Sequence, residues 1–428
     1  EPREAAAVLE SCVDAVDGMP LARELIELSL AVRRADAESA RTTAAANARD
    51  VAAALDRALD IAMRRLPDDA DAPRWILERA DLALGAMDAS SDLSRAESML
   101  GRFPAQSPLA PLRTLRDAEI LALRALTLPE GDAARPQALR SAAVRLEDAG
   151  VALDAVATRI DRPTLGAARA RLDTMRAAVA DASRRPAEAI TVALRAVGAA
   201  EAGQAIRVRA ASIWLDASLA RGGVGSVPAE VAALAAESAA LRALVAPSVE
   251  AEAEAVEELL VAGDAKAARE RAAKSLASLA PIALPTGGAG PAPLLRAGSI
   301  GALAGGAAAR AADIAREAIA ASDSEASQRA AEILLAEALR AVDTETSRAE
   351  AFELLRSLSP LSAQERDLTW WRAQCAQLEM LAGDAARSTD VTARINRLKL
   401  IDASFGDARI ARRIGEVERR VKEALSGR

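Results

Sequence analysis

The sequence predicts an all-α protein, with antiparallel helical hairpins stacked into an α-solenoid. Three observations carry this. About a quarter of the 428 residues are Ala, the residue that gives up least entropy in a helix. The aromatic residues that strands favour are nearly missing, with no Tyr, 3 Phe and 4 Trp. Apolar residues recur at three- and four-residue spacing from end to end. The same observations allow one alternative, separate helical bundles joined by flexible loops. Either way the core is built from Leu, Val, Ile and Ala. Small Ala lets helix axes approach, but each buries little area, so many helices share the work.

The elements follow in order. Leu21, Leu25, Leu28 and Val32 form a first stripe, and Val51, Leu55, Leu59, Ala62 and Leu66 a second. Pro67 and Pro73 enclose Asp68, Asp69 and Asp71 and stop that helix. Further breaks fall at 103–111, 128–136, Arg162-Pro163 and Arg185-Pro186, with Pro at the first turn of the following helices. Two loops look longer. One is 220–228, a sub-boundary, and the other is the Pro/Gly-rich stretch 281–293, read as the main linker. This gives an N-terminal array over 1–280, a linker over 281–293 and a C-terminal array over 294–428.

Beyond the linker, Ser322 with Glu325 and Ser347 with Glu350 fit capping boxes. A hairpin runs from Ile333, Leu334, Leu335, Leu339 and Val342 into Ala351, Phe352, Leu354, Leu355 and Leu358, closed by Pro360. The next starts at Trp370-Trp371, passes Leu378 and Leu381, turns at Gly383-Asp384 and continues through Val391, Ile395 and Leu398. Ile410, Ile414, Val417, Val421 and Leu425 form a final seam. Gly301 and Gly305 make a GxxxG spacing, read as close helix packing. The uncharged run from Ala297 to Ala309 is too short and Gly-rich to cross a membrane.

Composition excludes several chemistries. There is no His, so neither a Ser-His-Asp or Cys-His nucleophile system nor a histidine metal site can form. The two cysteines, Cys12 and Cys375, are too few for a disulfide-dense scaffold and read as small buried apolar residues, with one bridge open if the ends of the array meet. The net charge of −7 and the missing Tyr disfavour nucleic acid as partner. Only Lys266, Lys274, Lys399 and Lys422 are lysines; the Arg bias is what a GC-rich genome produces. The stretch 281–293 lacks the GxxxxGK[ST] pattern of a phosphate loop. The chain starts at Glu1 and not Met, which suggests processing or a fragment; a cytoplasmic location is favoured, and export after leader removal is the alternative.

Several hairpins resemble tetratricopeptide repeats. Ala180 to Ala189 with Ala193 looks like the turn and second helix of such a unit. So does the run Leu259, Gly263, Asp264, Ala268, Ala272, Leu276, ending at Pro281. Leu381 to Asp384 looks like a third turn, and Ala349 to Pro360 another second helix. The anchors do not keep a constant period near that family's repeat length, and its first-helix aromatics are mostly missing, so the resemblance is to a divergent member. It implies a stack of hairpins with a concave binding face.

Four features are candidate sites. Asp68, Asp69 and Asp71 offer carboxylates to a cation, but between two prolines they read as a capping loop. Glu250, Glu252, Glu254, Glu257 and Glu258 read as a solvated helix face. Trp370 and Trp371 point about 100° apart on a helix and are predicted not to face the same core; packing in the core or between repeats is the simpler reading, and one of them as an exposed partner-binding anchor the alternative. Trp75 and Trp214 read as core residues. From Ala393 to Arg428 there are ten basic and five acidic residues, a local +5. Within it Arg394, Arg397, Arg409, Arg412 and Arg413 are candidate partner contacts; a charged outer face on a capping hairpin is the simpler reading.

These features point to a non-catalytic scaffold that binds a protein or peptide on the concave face, with no cofactor and no metal. Two alternatives stay open: an accessory part of an enzyme whose catalytic domain lies outside this chain, and an envelope-associated structural protein touching an anionic membrane through its C-terminal hairpin.

Overall fold

The computed structural model describes Val8, residues 21–42, 48–85, Met87, and residues 91–283, 290–363 and 366–426. Among these there are twenty α-helices, one short 3₁₀ turn and no strand. The chain divides into two compact units.

The first unit comprises residues 1–222 and 228–244. Its helices are α1 (Leu21–Thr42), α2 (Ala48–Arg65), α3 (Ala72–Leu84), α4 (Leu93–Leu100), α5 (Ala110–Thr127), α6 (Arg135–Ala155), α7 (Arg162–Ala182), α8 (Pro186–Val197), α9 (Gln204–Ala220) and α10 (Ala229–Glu237). Consecutive helices pack side by side, and α3 meets α5, α5 meets α7 and α7 meets α9. Helices α3, α5, α7 and α9 therefore form one layer, with α4, α6 and α8 outside it, and α1 meets α2 and α9. This is hairpin-on-hairpin stacking of the α-solenoid kind. Prolines open α3, α5, α6, α7 and α8, as their missing N–H allows. Asp92 and Asp161 cap α4 and α7 by accepting hydrogen bonds from Arg95 N and Thr164 N.

The second unit comprises residues 223–227 and 245–428. The helix α11 (Ala239–Val261) contributes its C-terminal part here and bears Pro247 within it. Then come α12 (Ala265–Lys274), α13 (Leu276–Ala283), α14 (Ala292–Ala304), α15 (Ala308–Ala320), α16 (Glu325–Val342), α17 (Glu345–Leu358), α18 (Leu368–Ala382), α19 (Ser388–Ile401) and α20 (Ala408–Ser426). Next-but-one contacts link α12, α14, α16, α18 and α20 into one layer, with α15, α17 and α19 on the other. Ala311, Ala312 and Ala315 of α15 pack against Ala338 of α16, where small side chains bring the axes together. Gly301 serves the same end: a Cβ there would lie 3.2 Å from Leu276 Cγ. Gly305 ends α14 instead.

Several sequence expectations need correction. The first stripe is one step out of phase. The buried seam of α1 is Ile26, Leu30, Ala37 and Ala40, while Leu28 is 52% exposed; the helix is apolar on more than one side, so periodicity alone selects no face. The main division is not at 281–293. Residues on both sides of that stretch belong to the second unit, because Pro281 lies within α13 and Pro291 caps α14; its centre, 284–289, is outside the described residues. The capping boxes sit elsewhere. Ser324 caps α16, and Thr344 caps α17 in a box with Ser347. Ser322 instead donates to Ala318 O, because its helix still runs through Ala320. The expected second helix from Asp264 to Pro281 is broken at Ser275, whose φ of −144° and ψ of −54° are not helical.

Candidate functional site

Each unit carries a buried ladder of charges along its inner layer. In the first, Arg79 of α3 donates to Asp56 and Asp60 of α2, at 3.1 and 2.6 Å. Arg116 of α5 donates to Asp81 of α3 at 2.5 Å. Arg171 of α7 holds Glu119 of α5 in a two-pronged bond of 2.9 and 2.7 Å. Glu119 is fully buried. Burial alone would depress the Arg171 guanidinium, but Asp81 and Glu119 outweigh it and hold it firmly charged. The forked geometry suits Arg, which leaves no carboxylate of the ladder free for chemistry.

In the second unit the ladder receives a rung from α11. Glu257 accepts from Arg372 of α18 at 2.5 Å and from Arg296 of α14 at 3.2 Å. Arg372 also reaches Glu337 of α16 at 2.9 Å. Glu379 of α18 is clasped by Arg413 of α20, 2.8 Å on each prong, and by Arg340 at 2.5 Å. Arg413 donates further to Val261 O at 3.1 Å. The C-terminal half of α11 thus spans from α14 to α18 and α20, with Val245, Val249, Ala253, Val256 and Val261 buried beneath it.

The first unit holds an open groove of about 690 Å³, between the C-terminal ends of α5 and α7, the start of α6 and the middle of α9. Its apolar floor is Leu123, Leu126, Leu139 and Ile213. Around it stand Arg135, Arg140, Arg184 and Arg209 against Glu130, Asp181 and Asp216, four positive charges to three negative. Arg184 reaches the rim because it turns α7 into α8 with a left-handed φ of 57°. Arg209 bonds Ser212 Oγ at 3.3 Å and leaves its buried Nε without a partner. Among the described residues Arg140, Arg184 and Arg209 hold no carboxylate, and Arg135 has only Glu130 at 4.0 Å. Partial burial pushes the Asp181 and Asp216 carboxyls up, and Asp216 pushes Asp181 further; Arg209 opposes both shifts.

The residues singled out in the sequence lie mostly elsewhere. Trp370 and Trp371 are both buried, as the packing reading has it, but they share one cluster, contrary to the expectation that they face different surroundings, and neither is an exposed anchor. Helix α18 is enclosed on every side from Trp370 to Leu378, so a 100° separation takes neither ring to solvent. The rings meet edge to face with centroids 4.8 Å apart, and Trp370 Nε1 donates to Pro360 O at 3.0 Å. Arg394 is engaged by Gln374 and Gln377, Arg409 by Asp407, and Arg413 by Glu379. Arg397 and Arg412 are exposed, Arg412 at the edge of a hollow of about 700 Å³ that Arg413 and Glu379 also line. Of the glutamate run, Glu257 is not a freely solvated residue but the half-buried rung described above, and Glu252 pairs with Arg271.

Asp69 and Asp71 pair with Arg23 in the loop before α3. Trp75 and Trp214 are core residues. Cys375 is free and buried, its thiol pushed up to about 12 by burial; Cys12 lies outside the described residues. Sequence reasoning missed the groove altogether. Asp181, Arg209 and Asp216 sit alone in Ala-rich helices, and only the three-dimensional adjacency of α5, α7 and α9 gathers them. The one sequence signal was the Arg184-Arg185-Pro186 turn.

No family model matches this chain, and no curated protein matches it. Among solved structures the chain is similar to the crystal structure of yeast Tom70, over 100% of this chain and 97% of that one, at 11% identity and a TM-score of 0.27. A likeness of that extent carries no functional argument.

Proposed function

We propose that this chain is a non-catalytic helical scaffold that holds a segment of another protein in the groove of its first unit. One observation carries the reading. The groove sets Arg140, Arg184 and Arg209 around an apolar floor and, among the described residues, closes no ion pair with any of them, Arg209 acting on Asp181 and Asp216 only across a gap, whereas Arg171 and Arg372, withdrawn from solvent in the ladders, each bond carboxylates directly. An apolar floor rimmed by charge suits a protein surface better than a small apolar ligand. Photo-crosslinking tests it directly. A photoreactive residue at Thr127, on the groove wall, should capture one protein from the native host. The same residue at Val151, 70% exposed on α6 and away from the groove, should not. Equal capture from both positions would sink the reading.

Asp181 and Asp216 favour a second reading, acid–base catalysis by a carboxylate pair whose values burial drives up. It requires turnover that Asp181→Asn and Asp216→Asn both abolish while ligand retention survives.

A further inference from the structure

We infer that the groove of the first unit takes an acidic amphipathic helix, which seats apolar residues on Leu123, Leu126, Leu139 and Ile213 and supplies a carboxylate to Arg209. The inference rests on the scaffold reading above and adds the chemical class of the partner. Three observations lead to it, each from one unit taken by itself.

The first is charge. Arg209 is half-buried, its Nε has no partner, and its only side-chain bond goes to the Ser212 hydroxyl. A withdrawn guanidinium with unused donors favours an anionic acceptor, and Arg accepts a carboxylate in a forked bond. The second is backbone chemistry. An extended peptide needs partners for its N–H and C=O groups along the groove. The lining offers uncharged partners only in the hydroxyls of Thr127 and Ser183, and its other polar side chains are charged groups better matched by charged side chains than by a peptide backbone. A helix satisfies its own backbone and asks only for an apolar seat and side-chain charge pairs.

The third is a worked case inside the same molecule. In the second unit the C-terminal half of α11 is such a helix. It buries Val249, Ala253 and Val256 at helical spacing. It delivers Glu257 between Arg296 and Arg372, on two helices of the inner layer. That inner layer, formed by α14, α16 and α18, is built by the same next-but-one stacking as α5, α7 and α9. The groove of the first unit, walled by α5, α7 and α9 of such a layer and by the start of α6, has an arginine and apolar side chains and, among the described residues, no helix lining it besides these.

A displayed library of random 16-residue peptides, panned against the full chain, provides the test. Binders are then measured against Arg209→Met, Arg209→Lys and Arg184→Glu variants, all checked for native helicity; Arg184 is exposed, so its variant reports on the groove even where Arg209→Met loosens the fold. The expected result is enrichment of sequences with apolar residues at i, i+3, i+4 and i+7 and Glu or Asp beside them. Their affinity should fall about tenfold on Arg209→Met and Arg184→Glu, with partial rescue in Arg209→Lys. Binders that depend on Arg184 yet are extended or lack acidic residues would overturn this inference and leave the scaffold reading standing. A library that yields no binder sensitive to any of the three variants would overturn both.

Discussion

Glu257, in the last turns of α11, accepts a 2.5 Å hydrogen bond from Arg372, 115 residues further along the chain. No local preference could produce that pairing. It exists because α11 returns across a layer of helices that follow it in sequence, and because Arg372 is too withdrawn from water to stand without carboxylates. Removing one partner of a buried pair strands the other's charge. Glu257→Ala should therefore cost the second unit about 3 kcal/mol, the lower end of the usual range, since Glu337 still holds one prong. Denaturant unfolding followed by the buried Trp370 and Trp371 would report it, with Trp75→Phe and Trp214→Phe in the background to silence the first unit. An unchanged midpoint would show that α11 is not bound as described.

Gly406 faces Trp371 with no room to spare. It adopts φ of +72°, and a Cβ there would collide with the Trp371 indole, far inside van der Waals contact. Alanine meets both a left-handed backbone and an overpacked ring. Gly406→Ala should destabilise the second unit by about 2–4 kcal/mol, adding the strain of each, and should red-shift Trp emission as the stack of Trp371 on Phe405 opens. Gly415 is the control, since a Cβ there would meet only open space and its backbone is not left-handed: alanine at that position should be neutral or mildly stabilising.

What the sequence made legible follows from what periodicity can encode. Helix identity, the hairpin turns near Arg185 and Gly383 and the final seam of Ile410, Ile414 and Val417 are local matters, set by Ala, Pro and apolar spacing. Faces were harder where a helix is apolar on several sides, as in α1 and α18, because a stripe then selects no direction. The groove and the ladders were illegible for a different reason. Glu119 with Arg171, and Glu257 with Arg372, join residues on helices that meet only after stacking. In a chain where 27% of residues are charged, a single Glu that will be buried looks like any solvated one.

Glu379 gives the second unit a defined acid response. Burial works to raise its carboxyl, but the clasp of Arg413 and Arg340 outweighs burial and holds it below the usual glutamate range. A carboxylate lowered in the folded state contributes stability that is complete above the unfolded value, about 4.3, and is lost as pH falls through the folded one. The second unit should therefore lose this stability progressively as pH falls below about 4.3, leaving Arg413 uncompensated. Glu379→Gln removes that contribution at neutral pH and flattens the acid limb. Cys375 reads the opening, since its buried thiol, raised to about 12, resists labelling until the unit unfolds. Trapping with a pyridyl disulfide, which protonation of its own ring keeps reactive towards thiols in acid, in a Cys12→Ser background should show protection lost at higher pH in the Gln variant; equal labelling profiles would dismiss the clasp as a stabiliser.

Asp181 and Asp216 predict the opposite pH sense for binding. Their carboxyls are raised by partial burial, and Asp181 also by Asp216, so they take up protons before exposed carboxylates do as pH falls. Around them stand Arg135, Arg140, Arg184, Arg209 and Glu130. Protonating the two aspartates changes the groove from four positive and three negative charges to four and one. An acidic helix in solution, whose carboxylates keep their ordinary values near 4, stays charged through that interval. Affinity should thus rise as pH falls from 7 towards the raised values of the pair, and fall again once the ligand itself is protonated. Asp181→Asn and Asp216→Asn together mimic the protonated groove, so they should bind at neutral pH as tightly as the native chain does at the optimum and lose the rising limb. Isothermal titration across pH 4 to 8 with a peptide selected on the native chain decides the matter. A rising limb that persists in the double variant would place the responsible groups on the ligand and not in the groove.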